Sequence, residues 1–85
     1  MVMSENRDLT IEETFNLAIK NHQNDNLQDA QNYYQEILKI DPNHFGALNN
    51  LGVIFKKMKQ IQKAINCYEK IIKIYPDHVD VYNNL

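Results

Sequence analysis

The sequence is poor in the residues that build tight turns and covalent links. Its 85 residues include two glycines, two prolines, one cysteine and no tryptophan. So few glycines and prolines argue against a many-stranded sandwich or barrel, in which strands are joined by frequent turns. The lone cysteine, Cys67, excludes an internal disulfide and a cysteine-based zinc site.

Several signals of location and partner are also absent. No run of eighteen apolar residues exists, so no segment is expected to span a membrane. The first eight residues lack the apolar core of a secretory signal, and we expect a reducing, cytoplasmic location. Nine basic and eleven acidic residues give a net charge of -2, which argues against a dedicated nucleic-acid binder. The composition, 44% apolar and 24% charged, is typical of one small globular domain.

The clearest positive feature is an internal repeat with a period of 34 residues. Sliding the sequence against itself by that offset aligns many identical residues, and such self-similarity is the signature of a repeat architecture. The matching sets are Asn16, Asn50 and Asn84; Leu17, Leu51 and Leu85; Ala30 and Ala64; Tyr34 and Tyr68; Ile37 and Ile71; Pro42 and Pro76; His44 and His78; and Asn49 and Asn83.

Each unit is predicted to form two helices joined by a turn. Thr10 and Glu13 have the spacing of a capping box, and the segment 24–26, Asn-Asp-Asn, favours a turn. Pro42 and Pro76 each end a second helix. Apolar spacings of three and four residues predict the buried stripes. These are Leu27, Ala30, Tyr34, Ile37 and Leu38; then Leu48, Leu51, Gly52 and Phe55; then Ile61, Ala64, Ile65, Tyr68, Ile71 and Ile72.

This pattern resembles the tetratricopeptide repeat (TPR), a 34-residue helix-turn-helix unit. The second unit carries nearly the full motif: Leu48, Leu51, Gly52, Phe55, Ala64, Tyr68, Ile71 and Pro76. The first unit departs from it at Thr14, Ala18 and Asn21. The resemblance implies an all-α fold of antiparallel helix-turn-helix repeats forming a right-handed α-solenoid segment. Residues 1–9 would be an N-terminal tail, 10–43 and 44–77 the first and second repeats, and 78–85 the truncated first helix of a third.

Helical geometry predicts which residues line the concave surface of such a stack. The side opposite the buried stripe should carry Glu12, Asn16, Ile19 and Gln23 in the first repeat, Gly46, Asn50, Val53 and Lys57 in the second, and Asp80 and Asn84 in the third. Asparagines at 34-residue intervals would then share one channel. An amide both donates and accepts hydrogen bonds, so it suits the backbone of an extended peptide. The pattern resembles superhelical TPR proteins, including sugar-transferring enzymes whose asparagine ladder grips extended polypeptide.

The sequence therefore predicts a non-catalytic protein-protein interaction scaffold that binds an extended peptide or protein segment in the concave groove. The candidate residues are Asn16, Asn50 and Asn84, flanked by Asn49, Asn83, Val53, Lys56 and Lys57. Two simpler interpretations stay open: the amides are solvated, or they bond to one another between repeats. The two-carboxylate clamp of some TPR proteins is disfavoured, because Phe15, Ile19 and Asp80 stand where lysines or another asparagine would be expected, and only Asn50 fits. Lys56, Lys57 and Lys59 form a small basic cluster, for which favourable charge at a helix C-terminus is the default explanation and anion binding the alternative.

No constellation for catalysis, a cofactor or a metal is apparent. His22, His44 and His78 complete no metal-ligand spacing and are interpreted as surface imidazoles. Cys67 has no neighbouring base and is expected to be a packed or half-exposed thiol. There is no glycine-rich phosphate loop and no nucleophile elbow. We therefore expect no enzymatic activity from these residues.

Two other functions remain open. The third repeat stops after about two helical turns, which leaves Tyr82 and Leu85 without a covering helix. A second copy covering them would make the chain a self-assembly module, a homo-oligomer joined through the Tyr82–Leu85 end. Alternatively, the chain is the N-terminal TPR portion of a larger enzyme, such as a glycosyl- or sulfotransferase.

Overall fold

The chain folds as two helical hairpins stacked in series. The computed structural model describes residues 9–77. These form four helices, α1 (Ile11–Gln23), α2 (Leu27–Ile40), α3 (Phe45–Lys57) and α4 (Ile61–Ile74), and no strand occurs between residues 9 and 77. Helix α1 packs on α2, α3 packs on α4, and α2 joins the hairpins by packing on α3. The predicted all-α solenoid of helix-turn-helix units is confirmed, while the expectations for 1–8 and 78–85 lie outside the described residues.

The local sequence signals set the helix bounds. The Thr10 backbone N–H donates to Glu13 Oε1 at 2.9 Å, and the Glu13 N–H donates to Thr10 Oγ1 at 3.0 Å, which is the predicted capping box. Asp25 adopts a left-handed φ of 63° in the first hairpin turn. Lys59, 34 residues later, repeats that φ, although lysine gave no turn signal in the sequence. The two second helices end at Ile40 and Ile74, two residues before each proline.

The core follows the predicted stripes but is widest on α3. Helix α3 buries six residues, whereas α1 buries only Ala18 and the two second helices bury three each. Ala47 and Ile54 are both fully buried on α3, although neither belongs to the buried stripe predicted for that helix. The reason is that α3 packs against α2 on one side and α4 on the other, so more than one stripe of its surface leaves water.

One residue of the predicted stripes is exposed. Ile61 is 51% exposed, although its spacing placed it with Ala64, Tyr68 and Ile71. It is the first residue of α4, and a helical side chain leans toward the N-terminus of its helix. Its side chain therefore extends past the end of the packed surface instead of into it.

The polar departures of the first repeat are satisfied within α1. The Thr14 hydroxyl donates to the Thr10 carbonyl at 2.9 Å, and the Asn21 side-chain amide donates to the Leu17 carbonyl at 2.8 Å. Both bonds reach back four residues, a pattern that polar side chains use on a helix. The first repeat thus keeps its helical structure although it has polar residues where the second repeat has apolar ones.

His44 links the two hairpins. Its Nδ1 accepts a hydrogen bond from the Ala47 backbone N–H at 3.0 Å, so the imidazole caps the start of α3. Its ring lies 5.2 Å from the ring of Phe15, which in turn meets Tyr34 edge-on at 5.8 Å. His44 is half-buried, so it is a structural residue of the repeat junction and not the simple surface imidazole that the sequence suggested.

Candidate functional site

An open cleft lies where α1, α2 and α3 meet. It is lined by Ile19, His22 and Gln23 from α1, Tyr34 from α2, and Asn50 and Lys57 from α3, and it encloses about 440 Å³. We refer to these six residues as the cleft. Four of them, Ile19, Gln23, Asn50 and Lys57, occupy the helix positions that the sequence assigned to the concave side.

Asn50 is held in this cleft by a hydrogen bond between repeats. Its Nδ2 donates to the hydroxyl oxygen of Tyr34 at 3.1 Å. Tyr34 is fully buried, and burial raises the pKa of its phenol, an effect that the bond from Asn50 partly offsets. The sequence had left open that the amides bond between repeats, but it did not identify a tyrosine as the partner. Within residues 9–77, the Oδ1 acceptor and the second Nδ2 hydrogen of Asn50 make no other hydrogen bond, so both can contact a ligand.

The other candidate residues surround the cleft without lining it. Asn16 is exposed on α1, and its spacing of three and seven residues places it on the same face as Ile19 and Gln23. Asn49 and Val53 are half-buried on α3, and Lys56 is exposed. Asn83 and Asn84 lie outside the described residues. The three-asparagine ladder therefore has one described member in the cleft, Asn50, and a second, Asn16, on the adjoining surface.

The cleft has a cationic end. His22 and Lys57 are its ionisable residues besides Tyr34, and none of its six residues is a carboxylate. The pKa of His22 is lowered from 6.5, first by burial and then by the positive charge of Lys57, while Asp25 opposes both effects. The imidazole is therefore mainly neutral at pH 7. His22 was missed as a cleft residue because its position on the face depends on how α1 packs against α3.

Two kinds of feature were not found between residues 9 and 77: a group of metal-ligating side chains and a membrane-crossing helix. Between residues 9 and 77, no three His, Cys, Asp or Glu side chains come together as a group that would hold a metal ion. Within that same range, no helix combines the length and apolar character that crossing a membrane requires.

Cys67 packs against the core as a half-buried thiol. Burial raises its pKa to about 11, although the positive charge of Lys70 acts in the opposite direction. Its thiolate, which is the reactive form, is therefore scarce at neutral pH.

We expect Cys67 to react with an aromatic disulfide reagent at pH 8 at least about 10-fold more slowly than free cysteine, since its thiolate fraction is far smaller. The release of coloured thiol measures this rate. In urea, where the chain is unfolded, the rate should rise to that of free cysteine. A fast reaction in the folded chain would contradict the buried position of the thiol.

Comparison with known proteins agrees with this architecture. Two models of the tetratricopeptide repeat match the chain, one over residues 15–44 and the other over residues 46–78. No curated protein sequence matches it. Among solved structures, the crystal structure of MamA superimposes with a TM-score of 0.84 and 28% sequence identity, covering 88% of this chain. The chain spans 44% of the length of that MamA chain. Because the two matched repeats together cover most of the sequence, the chain belongs to the tetratricopeptide repeat family.

Proposed function

We propose that the chain is a non-catalytic scaffold that binds an extended peptide along the shared face of α1 and α3, with Asn50 holding the peptide backbone. TPR repeats serve as protein-interaction scaffolds in general. The finer proposal depends on one observation, the half-buried Asn50 amide in a cleft between repeats. Asn16, Val53 and Asn49 would flank the same peptide, with Asn83 and Asn84 beyond them.

The Tyr34 bond supports this role because it fixes the orientation of the Asn50 amide before any ligand arrives. One Nδ2 hydrogen is used by the Tyr34 hydroxyl, at 3.1 Å. The free Oδ1 and the remaining hydrogen match one peptide N–H and one peptide C=O. A side chain that is already ordered loses less conformational entropy on binding, so the amide is pre-organised as a clamp.

The dimensions of the surface also suit a peptide. The cleft volume of about 440 Å³ falls in the range of small-molecule sites, which is room for one or two peptide side chains. Helices α1 and α3 have 13 residues each, so the face they share is about 20 Å long. An extended chain advances about 3.3 Å per residue, and roughly six residues would cover that length.

The test uses linear 12-residue peptides selected from a random phage-displayed library on the immobilised chain. Affinities of a selected synthetic peptide are measured by fluorescence anisotropy for the wild type and for Asn50→Ala, Tyr34→Phe and Asn66→Ala. Asn50→Ala should weaken binding about 10-fold, the effect of losing one or two net hydrogen bonds. Tyr34→Phe keeps the amide but removes the bond that orients it, so it should weaken binding less than Asn50→Ala does.

The control and the Tyr34 variant separate binding from stability. Asn66 is an exposed asparagine on α4, away from the cleft, and its replacement should leave affinity unchanged. Equal losses in Asn50→Ala and Tyr34→Phe would assign Asn50 a purely structural role. Failure to enrich any peptide, or wild-type affinity in Asn50→Ala, would overturn the proposal.

We propose that this module carries no catalytic activity and needs no cofactor, and that its partner is a polypeptide. The strongest candidate nucleophile among the described residues, Cys67, has its pKa raised to about 11, which opposes thiolate chemistry. Self-association through Tyr82–Leu85, attachment to a larger enzyme and a cytoplasmic location stay predictions from the sequence.

A further inference from the structure

We propose that the cleft selects a peptide carboxylate, which binds between His22 and Lys57, and that its affinity rises as pH falls. This inference rests on the proposed peptide-binding function and adds the chemical class of the partner: an acidic peptide. These two basic side chains come from the C-terminal turns of successive first helices, α1 and α3.

The cleft residues offer donors and cations without a competing anion. Lys57 supplies an ammonium group, and its side chain forms no salt bridge to any carboxylate within residues 9–77. Gln23 and Asn50 add side-chain amide donors to the same wall. Ile19 provides apolar surface beside them, which reduces the solvation of an ion pair formed there.

Within residues 9–77, the charges that act on His22 come from α3 and from the turn after α1. Lys57 acts from α3, Asp25 acts from the α1–α2 turn, and Tyr34 on α2 contributes an uncharged phenol. Burial and then the positive charge of Lys57 lower the pKa of His22 and together outweigh Asp25, so the free cleft disfavours a proton on His22. The carbonyl groups at the C-terminal ends of α1 and α3 carry only partial negative charges. They favour a nearby cation without cancelling its full positive charge. Lys57 therefore keeps positive charge available to a ligand.

A bound carboxylate reverses the electrostatics at His22. Its negative charge stabilises the protonated imidazole and offsets the repulsion from Lys57, so the pKa of His22 rises on binding. By linkage, a ligand that promotes proton uptake binds more tightly as pH falls through the range between the two pKa values. We expect affinity to increase about threefold to tenfold from pH 7.5 to 5.5, because the carboxylate binds the protonated form of His22 more tightly and that form becomes more abundant as pH falls.

The experiment uses matched nine-residue peptides with acetylated and amidated ends, made of three Gly-Ser-Xaa units in which Xaa is Glu, Gln or Lys. A fourth peptide carries Gln and a free C-terminal carboxylate, which separates a terminal carboxylate from a side-chain one. Binding to the ¹⁵N-labelled chain is followed by amide NMR shifts at pH 5.5 and 7.5, and the His22 imidazole is titrated in parallel.

The variants are Lys57→Gln, His22→Gln and, as a control with the same charge change, Lys73→Gln on the exposed side of α4. The Glu peptide should bind at least about fivefold more tightly than the Gln peptide, with shifts at Asn50 and Gln23. If the Gln peptide with a free C-terminus gains this advantage and the Glu peptide with blocked ends does not, the cleft selects a C-terminal carboxylate. Lys57→Gln should abolish the preference, His22→Gln should abolish the pH dependence, and Lys73→Gln should change neither.

The outcomes separate this inference from the proposed function. If the library-selected peptides bind the groove while Glu, Gln, Lys and free-carboxylate probes show equal affinity, the charge preference is overturned and peptide binding stands. Undiminished Glu preference in Lys57→Gln also overturns it. If neither selected peptides nor probes shift any cleft residue, both proposals fail.

Discussion

Replacing Tyr34 with alanine is expected to destabilise the chain by about 3–5 kcal/mol, the range for removing a large buried aromatic ring. Tyr34 has no exposed surface, meets the Phe15 ring at 5.8 Å, and accepts the hydrogen bond from Asn50. It therefore joins α1, α2 and α3 at the point where the hairpins stack. Small domains have total stabilities of about 5–15 kcal/mol. If the wild-type chain has a stability near about 5 kcal/mol, this variant should be largely unfolded. Urea unfolding followed by circular dichroism measures the change.

Tyr34→Phe is the matched control for that loss. It keeps the ring and removes only the hydroxyl that accepts from Asn50, so we expect a loss of about 1 kcal/mol. The difference between the two variants then reports the packing of the ring itself. A loss below about 1 kcal/mol in Tyr34→Ala would show that the hairpins do not depend on this contact.

Replacing Gly52 with alanine is expected to destabilise the chain by about 1–3 kcal/mol, because the new methyl group overpacks the core. A Cβ at this position would lie 2.7 Å from Cζ and 2.8 Å from Cε1 of Tyr68. Tyr68 is 1% exposed, so its ring has little room to withdraw. Alanine is the better helix former by about 1 kcal/mol, yet the clash should outweigh that gain. The free energy of unfolding in urea gives the result.

Gly46→Ala separates the clash from the backbone effect. Its Cβ would also lie 2.7 Å from a ring atom, Cζ of Phe15. Phe15 is only half-buried, so its ring can move aside at smaller cost. We therefore expect a smaller loss than for Gly52→Ala. Equal losses in the two variants would contradict the explanation from Tyr68 packing.

Most of the architecture could be predicted from the sequence because its signals are local. The capping box at Thr10, the turn at Asp25 and the prolines after each second helix act within a few residues. The 34-residue period then places equivalent helices in equivalent positions. The two TPR family models, matched over residues 15–44 and 46–78, support the same conclusion.

The features that the sequence did not predict are contacts that depend on how neighbouring helices pack. The Asn50–Tyr34 bond joins a first helix to the preceding second helix, and no local pattern specifies the partner of an amide. Ile54 is buried because α3 has two neighbours, and His22 reaches the cleft because α1 lies beside α3. The His44 cap was missed for another reason: histidine is not one of the preferred capping residues.

The central claim is that a peptide occupies the concave face formed by α1 and α3. The most direct measurement is amide NMR mapping of the wild-type chain during titration with a library-selected peptide. We expect the largest amide shift changes at saturation at Ile19, Gln23, Asn50 and Lys57. Shifts concentrated instead at exposed residues of α4, such as Gln62 and Glu69, would contradict it.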